Sequence, residues 1–404
     1  MSGDASTLEV TVSLKILEKL SLVLPMDTSV SAPGPSALLV HAKILPRIET
    51  ILGLLADQYY TSGTRSNTNS CRDYYGHTVV GPAVDFSLSH ACPSGMTCSP
   101  CARSASIVGP LLHVQYDNGE ERVYVETPSG LVSVGIVRKL SDILSRKCHA
   151  YTDVGSLSPK ERLETLRGLE GELRYILEGD ELGFIPKNKL IMTTTRQAID
   201  PKTKTVKYGH LYTRTYTDIL AGIQAHTGLG VEEAIIKALI YATATRYCNR
   251  CVAKPRIVGL GKGRRPTQLN IKVEETSSPL LPLPNGGARS ATCKAILTLT
   301  ETPLTPETYS VLQGQAACIT GLTGEKPGIV LHYYGYGVVD GDKLVHVKYD
   351  PRPALPAGTV VIGYLPNALK SGYVRDFDVF GRKYRIYYGV PVSLVERLGE
   401  AVSR

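Results

Sequence analysis

The segment from residue 61 to residue 105 constrains the fold more than any other region of this 404-residue chain. It is rich in Ser, Thr, Asn and Gly and poor in aliphatic side chains, and it holds four of the nine cysteines: Cys71, Cys92, Cys98 and Cys101. A segment with so little apolar surface cannot form a core of its own. We therefore expect a bound metal ion to hold it together.

The cysteine spacing indicates structural zinc. Cys98 and Cys101 form a C-x2-C pair, which places two thiolates on one tetrahedral ion, and Cys92 is near enough to supply a third. The fourth ligand is open among three residues, Cys71, His77 and His90. We favour Cys71, because sites built from four thiolates are common. The carboxylates of the segment stand apart from the pair and suggest no general base.

A second C-x2-C pair, Cys248 and Cys251, follows a predicted helix. These thiols are either free, or additional ligands of the first site, or half of a second site with Cys148 and His149. An odd number of cysteines in a long chain argues against a disulfide framework and for the reducing cytoplasm. No apolar run approaches the roughly 18–20 residues that a membrane span needs, and no secretory signal is recognisable.

Positive charge is concentrated in two stretches. Residues 246–273 contain eight basic residues and no acidic one: Arg246, Arg250, Lys254, Arg256, Lys262, Arg264, Arg265 and Lys272. Without them the chain holds as many basic as acidic residues, so this stretch accounts for the whole net charge of +8. The second stretch contains Lys187, Lys189, Arg196, Lys202, Lys204, Lys207 and Arg214, opposed only by Asp200. Such concentration is typical of a polyanion-binding surface.

Local patterns predict the elements that carry this charge. Ser158, Pro159 and Glu161 form a capping box before a leucine-rich helix, and another helix is expected near 48–57. Residues 189–216 predict a projecting β-hairpin around Asp200-Pro201. Residues 232–247 predict a helix, followed by a mobile loop at Gly259, Gly261 and Gly263. The C-terminal third predicts strands, with hairpins at 340–342 and 381–382.

The basic groups favour contact with RNA. Glycines among the cations let backbone amides approach phosphate, and three nearby tyrosines could stack on unpaired bases: Tyr212, Tyr216 and Tyr247. Catalytic signatures are missing, since the chain has no P-loop, no H-E-x-x-H and no G-x-S-x-G. We therefore expect a protein that is not an enzyme. The alternatives are a zinc-containing RNA-processing or tRNA-modifying enzyme, and a zinc-stapled scaffold that binds a protein partner.

Three stretches, in this order, resemble a known family. They are Cys98-Ser-Pro-Cys101 closing in Ile107-Val108-Gly109, then Met192-Thr-Thr-Thr-Arg196-Gln with Tyr212-Thr-Arg214-Thr, and then residues 232–265. Together they are similar to the crRNA-binding backbone subunits of class 1 CRISPR effector complexes, in particular type I-D. With the segments between them, they cover about half the chain.

The resemblance implies an α+β fold with an RRM-like, ferredoxin-like core that carries a zinc-binding insertion and a helical insertion. The chain then divides into a first core segment (1–60), the zinc-binding insertion (61–110), strands with the helical insertion (111–185), a second core segment with the basic hairpin and loop (186–275), and a β-rich third core segment with the C-terminal residues (276–404). The resemblance also implies non-catalytic binding of single-stranded guide RNA, self-association along that RNA and contacts with other CRISPR subunits.

Overall fold

A computed structural model describes most of the chain outside the cysteine-rich segment. The described residues are 6–20, 22, 43–51, 54, 102–153, 155–199, 202–244, 256–261, 264–280, 294–340, 343–363, 374–379 and 382–404. Within several strands, including residues 195–199 and 206–214, only the backbone is described.

Six helices are bounded by described residues: α1 (Val134–Thr152), α2 (Pro159–Glu178), α3 (Lys187–Leu190), α4 (Ile219–Thr227), α5 (Pro306–Gln315) and α6 (Val392–Ser403). Residues 48–51 and 54 are also helical, which confirms the described portion of the helix expected near 48–57. Helix α1 was not predicted, because no capping or turn residues were recognised at its ends in the sequence.

Helix α2 begins as predicted. Ser158 is its N-cap, Pro159 opens the first turn, and the Glu161 carboxylate accepts a hydrogen bond from the Ser158 backbone N–H at 2.9 Å. Only some of the leucines of this helix enter the core: Leu169 and Leu173 are buried, whereas Leu163 is 49% exposed. The N-terminal half of α2 therefore stands away from the core.

The strands follow in chain order: β1 (Ser6–Ile16), β2 (Ala102–Val108), β3 (Leu111–Tyr116), β4 (Glu121–Thr127), β5 (Gly130–Ser133), β6 (Phe184–Pro186), β7 (Ile191–Ile199), β8 (Val206–Thr217), β9 (Val231–Ala244), β10 (Arg256–Leu260), β11 (Arg265–Glu275), β12 (Lys294–Thr298), β13 (Thr302–Pro303), β14 (Ala316–Gly321), β15 (Val330–Asp340), β16 (Lys343–Leu355), β17 (Thr359–Gly363), β18 (Val374–Val379), β19 (Arg382–Tyr387) and β20 (Gly389–Pro391). The pairs β15–β16 and β18–β19 confirm the two C-terminal hairpins.

Most of these strands form one large sheet. Its order in the described chain is β10-β11-β1-β9-β3-β4-β5-β6, with β2 joining β9 to β19 and β18 pairing with β19. Neighbours are antiparallel except for β2 and β19. A second sheet has the order β14-β17-β12-β20, and two smaller sheets contain β13-β16-β15 and β7-β8. The fold is therefore a mixed α/β fold built on a large, mainly antiparallel sheet.

The prediction of a helix at residues 232–247 was wrong. Residues 231–244 form β9, which lies between β1 and β3 and also pairs with β2. Alternate residues of β9 serve different cores: Ala234, Ile236 and Ala238 enter one, while Leu239 and Tyr241 enter the other. A strand buried on both faces is a nearly continuous apolar run, which periodicity alone cannot separate from a helix, and its alanines favoured the wrong choice.

Two hydrophobic cores lie on opposite faces of this sheet. The first gathers β1 residues such as Val12 and Leu14 with Ile48. The second gathers α1, α6 and strands of the second sheet, for example through Leu140 and Leu398. No helix in the described portion of the chain combines the length and apolar character needed to cross a membrane.

Candidate nucleic-acid interface

The hairpin β7–β8 is confirmed as a separate two-stranded sheet. Its register places Arg196 opposite Tyr212 and Thr194 opposite Arg214, two rungs apart, so the predicted RNA-contacting residues lie on one face of the ladder. Residues 202–205 near the tip are exposed. A hairpin without a third strand cannot have much of a core of its own. Its orientation therefore depends on how its root, the end of the ladder at Ile191 and Thr217, is held.

The hairpin root is anchored on both sides. Helix α3 precedes β7 and helix α4 follows β8, and the Asp218 backbone N–H donates to the Leu190 carbonyl at 2.8 Å. Gly222 of α4 packs directly on α3, because a Cβ there would lie 2.7 Å from the Lys189 carbonyl oxygen. Lys189 is exposed on α3 and Lys187 is half-buried. The root is thus the packed end of the hairpin.

The second basic stretch forms an edge hairpin in its described portion. The expectation that Gly259 belongs to a mobile loop was wrong, because Gly259 lies inside β10, which pairs with β11 at the edge of the large sheet. Gly263 lies outside the described residues. Gly259 permits this pairing, since a Cβ there would lie 2.6 Å from the Arg264 Cβ. Gly261 and Arg264 have φ values of 70° and 47° at the turn. Arg264 is exposed there.

The two basic hairpins meet at Tyr216. The Arg265 guanidinium, at the start of β11, lies 5.9 Å from the centre of the Tyr216 ring, and the Lys19 ammonium lies 5.8 Å from it. Arg265 also pairs with Glu18 at 3.4 Å. Tyr216 is only 2% exposed, so the expectation that it stacks on a base was wrong. It instead holds cations from two elements beside the hairpin root.

Several predicted site residues cannot be placed. Arg246, Arg250, Lys254, Lys262, Tyr247 and both cysteines of the second C-x2-C pair lie outside the described residues, as do the expected zinc ligands Cys71, Cys92, Cys98 and Cys101 with the alternatives His77 and His90. The side chains of Arg196, Tyr212, Arg214 and Arg256 are likewise not described. Within the described ranges, no cluster of three or more His, Cys, Asp or Glu side chains could hold a metal ion.

The predicted stacking of Tyr212 on an RNA base can be tested by substitution. Tyr212→Ala should weaken RNA binding by roughly 1–3 kcal/mol, the usual contribution of one stacked base. The dependence of affinity on salt should not change, because no phosphate contact is lost. Tyr212→Phe is the matched control and should bind like the parent. Equal affinities of the Ala and Phe variants, measured by fluorescence anisotropy, would contradict stacking.

A cleft of about 690 Å³ opens on the polar face of β1, β9 and β11, beside α6. Its charged lining is balanced, with five cations (Lys15, Lys237, Lys272, Arg397 and Arg404) and five carboxylates (Glu9, Glu233, Glu274, Glu275 and Glu400). Burial lowers the pKa of Lys237, which donates a hydrogen bond to the Val402 carbonyl. Among the described residues that line the cleft, none is aromatic. Balanced charge without a stacking surface makes this cleft a poor site for a polyanion.

A buried ionic cluster lies beneath the hairpin root. Lys43 pairs with Glu301 at 2.5 Å, and both side chains are less than 10% exposed. The carboxylate of Glu126 accepts the backbone N–H groups of Ile44 and Leu45, each at 2.9 Å. Burial lowers the pKa of Lys43 to about 8 and raises the pKa of Glu126. These residues are far apart in sequence, and no local signal singled them out.

Cys148 of α1 and Cys318 of β14 form a disulfide with Cα atoms 5.5 Å apart. This separation is usual for native bridges. The alternative in which Cys148 and His149 form half of a second metal site was therefore wrong, because the Cys148 sulfur is engaged elsewhere. The bridge also departs from the expectation that the cysteines remain reduced thiols or metal ligands.

Comparisons with known proteins give distant structural likenesses. No family profile matches the sequence, and no curated protein matches it. A chain of the type III-B Cmr-beta complex bound to cognate target RNA and AMPPnP is similar to this chain, with 15% identity, 87% of this chain and 86% of that chain covered, and a TM-score of 0.42. A chain of the same complex bound to cognate target RNA alone gives the same identity and coverage with a TM-score of 0.43. Scores below 0.5 establish no shared fold.

Proposed function

We propose that this chain binds single-stranded RNA without regard to its sequence, through the basic hairpin β7–β8 and the basic edge hairpin β10–β11. The contact of Arg265 with Tyr216 is the observation that carries the proposal. It makes two stretches of concentrated positive charge, separate in sequence, neighbours at the hairpin root. One RNA strand could then contact both stretches, from the turn at Arg264 to the hairpin.

The chemistry of this surface favours recognition of the RNA backbone. Lys and Arg side chains neutralise phosphates, and such contacts position a strand but carry no sequence information. In this proposal Lys187, Lys189, Arg196 and Arg214 contribute from the first hairpin, and Arg246, Arg250, Lys254, Arg256, Lys262, Arg264 and Arg265 from the second stretch. Tyr212 adds stacking, which tolerates any base.

We further propose that the chain is a repeated backbone subunit of a class 1 CRISPR effector complex that binds guide crRNA, with type I-D as the finer assignment. The ordered sequence resemblance supports this proposal. The strand order β11-β1-β9-β3 supports an RRM-like core, because a split βαβ fold places its first and third strands centrally, flanked by the fourth and second, with antiparallel neighbours. Other CRISPR subunits and further copies along the RNA would be its partners.

The proposed role requires no catalysis. The expected result is that intact RNA of defined length accompanies the protein through purification from its source. Sequencing and gel analysis would check this. Protein free of RNA under low salt, or steady degradation of added RNA that a single Asp, Glu or His substitution abolishes, would contradict the proposal.

Zinc is proposed as a structural component held by Cys71, Cys92, Cys98 and Cys101. Four thiolates are a common donor set for structural zinc. Bound zinc would supply the folding free energy that the 61–105 segment lacks. We expect about one zinc ion per chain by elemental analysis, and Cys98→Ser should lower the zinc content and speed proteolysis within 61–105. Full zinc retention by the Cys92/Cys98/Cys101 triple serine variant would contradict the assignment.

A further inference from the structure

One short peptide segment, residues 43–45, contacts the end of β8 and shares a small cavity with α3, the helix that precedes β7. At the β8 end, the Thr217 hydroxyl donates to the Lys43 carbonyl at 2.6 Å. Lys187, the first residue of α3, lines the same small cavity as Lys43, about 70 Å³ in volume. Residues 43–45 therefore hold the hairpin root together with the Leu20–Thr217 backbone pair and the packing of α4 on α3.

This segment is held from two sides by carboxylates of different structural elements. Glu126, on β4 of the large sheet, accepts the amides of Ile44 and Leu45. Glu301, in the loop between β12 and β13, pairs with the ammonium of Lys43. The hairpin, the large sheet and the second sheet thus share one buried junction.

The charges of this junction are nearly balanced within the cavity. Lys43, Arg47 and Lys187 line it with two carboxylates, Glu126 and Glu301. Removing one partner of a buried pair leaves a charge without compensation and is strongly unfavourable, whereas replacing both partners by apolar groups is often tolerated. Loss of the Glu301 charge would leave the buried Lys43 ammonium without this partner. The 43–45 segment would bear this imbalance, because the two carboxylates hold it to both sheets.

We infer that Lys43 and Glu301 are positioning residues that fix the orientation of the RNA-gripping hairpin relative to the two sheets. The inference rests on the proposed function. Neither residue contacts RNA, since both are buried. Their contribution is to hold the backbone of β7–β8 in place relative to the Arg265 side chain.

The test uses the isosteric change Glu301→Gln in the full chain. Affinity for a single-stranded oligonucleotide should fall by about fivefold or more, as for an energetically coupled site. The slope of log affinity against log salt should stay unchanged, because the bound state makes the same phosphate contacts and only the fraction of free protein with a correctly oriented hairpin falls. Amide hydrogen exchange in 191–199 and 206–217, measured without RNA, should become faster than in the parent. The double variant Lys43→Met/Glu301→Leu should restore both readouts.

Glu172→Gln is the matched control, because it breaks an exposed pair with Arg146 of similar length, 2.6 Å. It should change neither readout. Unchanged hairpin exchange in Glu301→Gln would overturn the inference, and so would faster hairpin exchange with parental affinity. An equal acceleration of amide hydrogen exchange in β1 and β9 of Glu301→Gln would also overturn the inference, because the Lys43–Glu301 pair would then only stabilise the fold as a whole. Failure of the parent to bind RNA would reject the proposed function, while hairpin exchange would still decide whether the pair holds the root.

Discussion

Neutralising Arg250, Arg256, Arg264 and Arg265 together should weaken RNA binding about equally for unrelated sequences. For single strands, each lost phosphate contact changes the slope of log affinity against log salt by roughly 0.7, so four lost contacts flatten it by about 3. This change in slope corresponds to a several-hundred-fold loss of affinity at about 0.1 M salt. Arg196 or Arg214 changed singly should have a similar but smaller effect.

The matched control removes the same charge elsewhere. Arg138, Lys139, Lys160 and Arg167 are exposed cations on α1 and α2, away from both basic hairpins in the chain. Their joint replacement by Gln lowers the net charge by the same amount. We expect little change in slope, because long-range charge is screened over about 10 Å at 0.1 M salt. Parental affinity and slope in the arginine variant would show that the stretch is only a solvated surface.

Breaking the Cys148–Cys318 disulfide should produce the largest change in stability. The bridge spans a sequence separation of 170 residues, and the chain-entropy relation assigns a loop of this length about 5 kcal/mol of stabilisation. It joins α1 to β14, two elements of the second core. Reduction with a phosphine, or the variant Cys148→Ser/Cys318→Ser, should therefore lower the thermal midpoint markedly.

The double serine variant is also the control for the reductant. Its thermal midpoint should not respond to reduction, whereas that of the parent should fall to the same value. Alkylation followed by mass spectrometry identifies the bridge directly. Quantitative labelling of both thiols in protein prepared without reductant would contradict the bridge and the stability prediction together.

Local signals predicted local structure well. The capping box at Ser158 gave the start of α2, because the residues that satisfy a helix N-terminus are adjacent in sequence. Alternating strand residues around a proline turn gave the hairpin β7–β8. In both cases the interactions that decide the structure lie within one element, so they can be recognised without knowing the fold.

Where local patterns were ambiguous, tertiary packing determined the structure. β9 is a strand because β1, β2 and β3 surround it, although its alanines and isoleucines also suit a helix. Tyr216 was a candidate for stacking on RNA, and only the packing of Arg265 and Lys19 shows that its ring is covered. The sequence thus predicted which stretches of the site are basic, but not how their side chains are arranged relative to one another.

The buried junction illustrates the same limit for charge. Glu126 and the backbone amides it holds are more than eighty residues apart in sequence, and Glu301, in the loop between β12 and β13, is farther still from its partner Lys43. A lone Glu or Lys in a sequence is usually a solvated surface residue. The role of these charged residues at the hairpin root could be recognised only from the structure, which shows the elements that bury them.

The central claim is sequence-independent binding of single-stranded RNA through the phosphate backbone. The most direct measurement is the affinity of the parent protein for two unrelated single-stranded RNAs of equal length, each determined over a range of salt concentrations. The account predicts equal affinities and equal, steep salt slopes for the two RNAs. A clear preference for one sequence, or an affinity that does not respond to salt, would contradict it.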